Sequence, residues 1–323
     1  MAATKRTRGP RIKQSDRLRL PRRRRRKGEL CLVAVSDLHV GGVDGLCYPS
    51  QQKPGGGTYQ ANERQLWLFE QWKAAIRRWH HPDALVVVGD ATAGSGSQKK
   101  LRSALWTTNA MQQAELAADL VNMWHAGLVY LVEGTARHVK IDEETLAVEE
   151  YMGRYGLVPK AVVGNGKHYA PAERIVRLGG IAFHLSHFLS GTSSPVSPAT
   201  APVREHINAL IAEARGWYPR CDVVLRAHRH FYLSVHFGGN RFAVRMPCWQ
   251  MKTRYERGRN ALLWNPMIGA LQFRIKDGHV SLDEGCVECP FNAPVPDDVE
   301  ADRGRDLEAE RAALLDPFGD EDE

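Results

Sequence analysis

The 323-residue chain carries only six cysteines and lacks any apolar run near the roughly 18 residues that a membrane-spanning helix needs. The first shortage excludes a disulfide framework, because a chain of this length builds its own core, and a reducing, cytosol-like compartment is expected. The second gives no reason to expect a membrane partner. The basic N-terminus also lacks the apolar segment of a secretory signal, so a cytoplasmic location is expected. A four-cysteine zinc site is disfavoured too. Cys286-Val-Glu-Cys289 is the sole CxxC, and Cys221 and Cys248 do not form a second such pair. Internal repeats are absent.

What is present is ordinary for a globular protein, 43% hydrophobic and 25% charged, but the charge is unevenly placed. Residues 1–30 hold thirteen Lys/Arg, including the run Arg22 to Arg26, against Asp16 and Glu29, a net +11. Residues 297–323 hold twelve Asp/Glu against three Arg, a net −9. Relative to the chain's +7, these ends leave a middle of only +5. The first thirty residues have too little apolar content to offset the entropy of ordering and read as a disordered basic arm. Such an arm attracts polyanions by counterion release, and nucleic acid is the commonest of them. A solubilising tail is the bland alternative. Residues 31–296 read as one domain and 297–323 as an acidic, mostly mobile tail. The acidic end could compete with nucleic acid for the basic one.

Short apolar, β-branched runs alternate with helical periodicity in the first half of that domain. Val33-Ala34-Val35-Ser36 reads as a buried strand ending at Asp37-Leu38-His39. Tyr48 to Tyr59 reads as a long loop near that end. Residues 61–81 read as a helix, with Leu68, Trp72, Ile76 and Trp79 on one face; the tryptophans suit a core better than a stacking platform. Strand 84–88 ends at Gly89-Asp90. A helix over 107–126 leads to strand 128–132, which ends at Glu133-Gly134-Thr135-Ala136-Arg137-His138, and residues 142–153 suit a further helix. From residue 173 strands dominate. A hairpin over 174–186 carries His187 at its far end, and 203–215 reads as a helix. Strand 222–226 ends at Ala227-His228-Arg229-His230. Later strands are expected over 231–237, 241–246, 270–276 and 279–283. The order is βαβαβα and then a strand-rich half, which two face-to-face sheets with helices outside would satisfy.

Strand ends are where open α/β sheets bind ligands. Here they bear Asp37, His39, Asp90, His138, His187, His228 and His230. Each alone has a dull reading, a turn aspartate or a hydrogen-bonded histidine. Together they form a mixed oxygen and nitrogen donor set suited to Mn, Fe, Zn, Co or Ni, and seven donors are enough for two ions about 3.5–4 Å apart. Asp90 stands alone on a central strand end and is the expected shared ligand. His80, His81, His125, His168, His184, His206, His236 and His279 fall outside the pattern and are left structural, with His184 facing the core or the opposite sheet.

The order of these motifs resembles the calcineurin-like metallophosphoesterase superfamily over roughly residues 31–250. The family runs Asp-x-His, Gly-Asp, Gly-Asn-His, a single His, then Gly-His-x-His. Asp37-Leu-His39, Gly89-Asp90, His187 and His228-Arg-His230 match, with Ala227 where Gly is usual. The third element departs: Thr135 stands at the Asn position and His138 arrives three residues late. The loop-rich, Arg-armed form also looks similar to phage-encoded members.

The resemblance implies an αββα sandwich of two mixed sheets flanked by helices, and a dinuclear metal centre. One ion would take Asp37, His39, Asp90 and His230; the other would take Asp90, His187, His228 and His138. A hydroxide bridging two divalent transition-metal ions, Mn foremost, would attack phosphorus in line. His138 either replaces the family's Asn as ligand or remains the acid on a longer loop. The ligand role is preferred because a Thr hydroxyl is a poor ligand for these metals, and Arg137 could then hold the phosphate.

The substrate expected is a phosphate ester, with the basic arm favouring a phosphodiesterase or nuclease. A phosphomonoesterase or protein phosphatase, and a nucleic-acid-binding or assembly protein on a degenerate scaffold, are the alternatives. Arg245, Lys252, Arg254, Arg257 and Arg259, with Trp249 and Tyr255 interleaved, form a second basic cluster that could stack on bases. A solvated loop packed by two aromatics is the preferred plain reading. Oligomeric state leaves no mark on the sequence.

Overall fold

In the computed structural model the residues described are 20, 28–94, 102–135, 146–164, 166–189, 197–253 and 265–291. The acidic tail, His138 and Arg137, the basic positions 254, 257 and 259, and all of the basic arm but Leu20 and 28–30 lie outside them.

The first half of the chain builds a parallel core. Strands β1 (Glu29–Val35), β4 (Ala84–Val88) and β5 (Leu128–Val132) pair in parallel in the order β1-β4-β5. All five residues of β4 are buried. A strand covered on both faces needs this continuous Ala-Leu-Val-Val-Val run rather than alternation. Two long C-terminal strands, β11 (Met267–Lys276) and β12 (His279–Glu288), add antiparallel beyond β1 and complete a sheet ordered β12-β11-β1-β4-β5. The strand assigned to Val33–Ser36 therefore begins four residues earlier. Glu29 and Leu30 pair with Lys276 and Ile275 and so belong to the sheet.

The second sheet is ordered β6-β7-β8-β10-β9, from Glu173–Leu178, Ile181–Ser186, Val223–Arg226, Phe242–Arg245 and Leu233–His236. β7, β8 and β10 run parallel, with antiparallel strands at both edges. The two sheets face each other across one apolar layer. Leu32 and Ala34 of β1, Val86 and Val88 of β4, and Phe273 of β11 meet Phe183, Leu185, Val223 and Leu225 from the second sheet. The Phe183 and Phe273 rings cross that layer edge to face at 5.2 Å.

Helices cover the outer faces. α1 (Glu63–Trp79) opens with a reciprocal capping box: the Asn62 side chain accepts from Gln65 N, and the Gln65 side chain accepts from Asn62 N. It lies on β11, burying Leu68, Phe69, Trp72 and Ile76. α2 (Ala110–Asn122), capped by Asn109, packs on the short α3 (Val148–Arg154), which lies on β5. α4 (Thr200–Ala214) covers β8, β9 and β10. The expected αββα sandwich is what the chain forms. Among the described residues no helix is long and apolar enough to cross a membrane.

Three local expectations change. The 48–59 loop contains a small hairpin, β2 (Ser50–Gln52) with β3 (Thr58–Gln60). His184 is buried, but its neighbours on β7, Phe183 and Leu185, point into the inter-sheet layer, and strand alternation turns it the other way. It meets Arg226, which the α4 residue Glu205 also holds. Of the second basic cluster, the described residues are interior. Arg245 and Lys252 are buried, and Trp249 is packed edge to face on Trp72 at 4.8 Å, so it has no face to offer a base.

Candidate metal centre

The C-terminal ends of β1, β4, β7 and β8 converge at one place. Beyond β1, Asp37 N donates to Gly89 O and His39 N to Asp90 O, which stitches the first two strand ends together. Beyond β8, Ala227 N donates to His187 O. Between the sheets, His228 N donates to Asp37 Oδ2 at 3.3 Å. His187 Nδ1 lies 2.9 Å from Val88 O. A carbonyl can only accept, so that nitrogen carries a proton and Nε2 is the ring atom turned to the centre.

Six of the seven expected ligands meet here. Asp37, His39 and His230 form one group and Asp90, His187 and His228 another, each with its ligand atoms within 4.8 Å of one another. The groups adjoin. His39 Nε2 is 3.8 Å from both Asp37 Oδ1 and Asp90 Oδ2, and His187 Nε2 is 3.1 Å from Asp90 Oδ2 and 3.9 Å from Asp37 Oδ1. Both carboxylates, rather than Asp90 alone, lie between the two sets of imidazoles. His138 and Arg137 are outside the described residues.

The backbone is bent to make this arrangement. Asp37, His39, Asp90, His228 and His230 all have positive φ, between 45° and 72°. Such residues cost of order 1–3 kcal/mol each, and strain of this kind clusters at functional sites. The glycines of the motifs have a steric role. A Cβ on Gly89, itself at φ +75°, would stand 2.5 Å from His187 Nδ1 and 2.7 Å from Gly134 Cα. A Cβ on Gly134 would collide with Asp90 N and Oδ1. Only glycines let the β4 and β5 ends approach this closely.

The electrostatics are those of an anion pair enclosed by imidazoles. Burial pushes the Asp37 carboxyl up, but His187 and His230 outweigh it and hold it well below the usual range. Asp90 is likewise raised by burial, yet lowered on balance to about 2 by its hydrogen bond to His187 and that residue's charge. Burial lowers His187, while Asp37 and Asp90 lift it to about 9. His228 falls to about 4 through burial and the charge of His187.

A cation fits these donors. His39 Nε2 and His230 Nε2 approach to 3.3 Å, as do His187 Nε2 and His228 Nδ1. Buried Asp37 Oδ1 makes no well-formed hydrogen bond although His230 Nε2 is 3.2 Å away. Imidazole nitrogens gathered this closely around two carboxylates form a donor set that a divalent transition metal would satisfy on displacing the ring protons.

Thr135 is the position where sequence reasoning undervalued a side chain. Its hydroxyl lies 3.0 Å from Asp90 Oδ2 and 3.2 Å from both His187 Nε2 and His228 Nδ1, inside the second group. Its place in the Gly-Asn-His element was the available signal. Glu149, at the start of α3, had none: it is fully buried and accepts from Ala91 N, next to Asp90, at 2.9 Å. Burial raises its carboxyl to about 7.

No protein-family model and no curated protein matches the chain. Solved structures do. A Vps29 variant from Entamoeba histolytica is 11% identical, covering 80% of this chain and 99% of its own, at TM-score 0.36. A Streptococcus pneumoniae protein described as a predicted phosphoesterase is 10% identical over 79% of this chain and 88% of its own, at TM-score 0.34. The Haemophilus influenzae NAD nucleotidase is 10% identical over 80% of this chain and 50% of its own, also at 0.34. At these values the functional reading rests on the geometry of the centre.

Proposed function

We propose that the protein is a two-metal phosphoesterase acting on phosphodiesters of nucleic acid or nucleotides. One observation carries the proposal: two Asp/His triads, drawn from four strand ends of two sheets, lie side by side in a buried, strained pocket. Asp37, His39 and His230 hold one ion and Asp90, His187 and His228 the other, and manganese is the ion proposed first among Mn, Fe, Zn, Co and Ni for these mixed oxygen and nitrogen donors. When bound, the ions acidify water and neutralise charge on the phosphoryl oxygens. The chain's own part is preorganisation. Val88 O fixes the His187 tautomer, His228 N steadies Asp37, and Thr135 holds Asp90 through both carboxylate oxygens. Arg137 and His138, two and three positions beyond Thr135, keep their proposed roles as phosphate clamp and as ligand or acid. The +11 arm supports nucleic acid as the polyanion, binding without sequence readout.

A second reading takes its support from Thr135. A hydroxyl at this position is a weaker donor than an amide carbonyl, which suits a nucleic-acid-binding protein on a catalytically weak scaffold. Elemental analysis of the purified protein, with manganese-supplemented turnover of bis(p-nitrophenyl) phosphate and of a single-stranded oligonucleotide, separates the two. About two ions per chain, and turnover that Asp90→Asn abolishes, support the enzyme. Salt-sensitive DNA binding that persists in chelator, with no turnover of mono- or diesters, overturns it in favour of the binder.

A further inference from the structure

We infer that Phe188 is a stacking platform for the base of a nucleotide whose phosphate lies at the metal centre, an inference that rests on the phosphoesterase reading. Phe188 follows His187 directly and is 52% exposed, although both neighbours in the chain are buried. His187 is tied to Val88 O and Leu189 is 5% exposed, so the backbone is held on both sides and the ring is turned outward by strand-like alternation. It is not a loose loop tip.

The ring does not point away from the centre. Its centroid is 5.4 Å from the His187 ring, edge on at 82°, and 5.4 Å from the His228 ring, tilted at 54°. It therefore leans on one imidazole from each of two strand ends while roughly half of its surface stays open to solvent. Scattered exposed apolar side chains are common and mean little. A phenylalanine left half open beside two candidate ligands forgoes apolar burial at the position where a ligand would restore it. The chemistry that fits an open aromatic face beside a phosphate-binding centre is a flat heteroaromatic ring one sugar away from the phosphate. Base–aromatic stacking tolerates any base, which agrees with binding by charge through the arm. Arg229, between His228 and His230 in the chain, is an exposed cation.

The test compares two diesters with a common leaving group, thymidine 5′-(p-nitrophenyl) phosphate and methyl p-nitrophenyl phosphate, in wild type, Phe188→Ala, Phe188→Leu and Phe188→Trp. The expected result is that the ratio of kcat/KM, nucleoside ester over methyl ester, falls about tenfold in the Ala and Leu variants, chiefly through KM, and recovers in Phe188→Trp. Metal content and Tm serve as folding controls. An unchanged ratio with intact metal content overturns the inference and leaves the phosphoesterase reading standing. If wild type hydrolyses neither ester, it is that reading which fails. Stacking is then decided by titrating thymidine 5′-monophosphate, where equal affinity of wild type and Phe188→Ala overturns it and an approximately tenfold loss sustains it.

Discussion

Thr135 grips Asp90 at both ends of its carboxylate: the backbone N–H donates to Oδ1 at 2.5 Å and the hydroxyl to Oδ2 at 3.0 Å. The contact joins the β5 end to the β4 end, and it is possible because Gly134 has no side chain to keep the two apart.

Replacing Thr135 with Val keeps the shape and the backbone donor but removes the hydroxyl from a buried polar site. Metal-free protein is expected to lose about 0.5–1.5 kcal/mol, the net worth of one hydrogen bond, because His187 Nε2 still reaches Asp90 Oδ2 at 3.1 Å. Urea denaturation in chelator measures it. Stability unchanged to within about 0.5 kcal/mol would show that the hydroxyl contributes nothing to the fold.

The two triads should empty separately. His230→Ala is expected to lower metal content by about one ion while leaving Asp90, His187 and His228 able to bind the other, and His228→Ala should do the converse. Both should reduce diester turnover at least about 100-fold, because neither ion alone can flank the reacting phosphoryl group. Elemental analysis of each variant beside a rate measurement checks this. Loss of both ions from either variant would mean a single shared site.

Glu149 sets a pH dependence whose sign follows from its raised carboxyl. Its folded value of about 7 lies above the ordinary 4.5, so the folded state favours the protonated form. The stability it contributes is present below about pH 4.5 and is lost as pH rises through about 7. Glu149→Gln keeps an acceptor for Ala91 N but cannot ionise. Between pH 5 and pH 8 in chelator, wild type should lose about 2–3 kcal/mol relative to the Gln variant. A stability gap identical at both pH values would refute it.

Arg245 is expected to matter for stability rather than for nucleic acid. Its Nε donates to Phe231 O, its guanidinium lies over the Phe231 ring at 4.7 Å, and burial lowers its pKa to about 10. Arg245→Ala should cost about 1–3 kcal/mol by removing a buried side chain together with its hydrogen bond to Phe231 O. Oligonucleotide affinity at fixed salt should be unchanged. A weakened affinity with native Tm would place Arg245 on the binding surface after all.

The parallel half of the fold was legible because its strands are continuous apolar runs, fully buried in β4. Ala84–Val88 and Leu128–Val132 are uninterrupted apolar runs, and their limits come out residue for residue. The edges were less legible. β2 and β3 are three residues each, in a Gly-rich stretch with no alternation to read, and β12 runs five residues past its expected end through Glu284, Cys286 and Glu288. Trp249 and Arg245 misled for a related reason: composition shows that cations and aromatics are near one another in the chain, but not which side of the sheet they face.

By itself, the sequence determined the strand-end positions of the Asp and His residues, since a buried β-branched run that stops at a polar pair leaves that pair nowhere else to go. Only the tertiary structure decided that they meet. Six side chains spread from residue 37 to residue 230 become neighbours because two parallel cores pack across one apolar layer with their C-terminal ends aligned. The left-handed turns, the hydroxyl of Thr135 and the open ring of Phe188 take their meaning from that convergence. Distances between strand ends depend on how sheets stack, and local sequence periodicity carries no information about stacking.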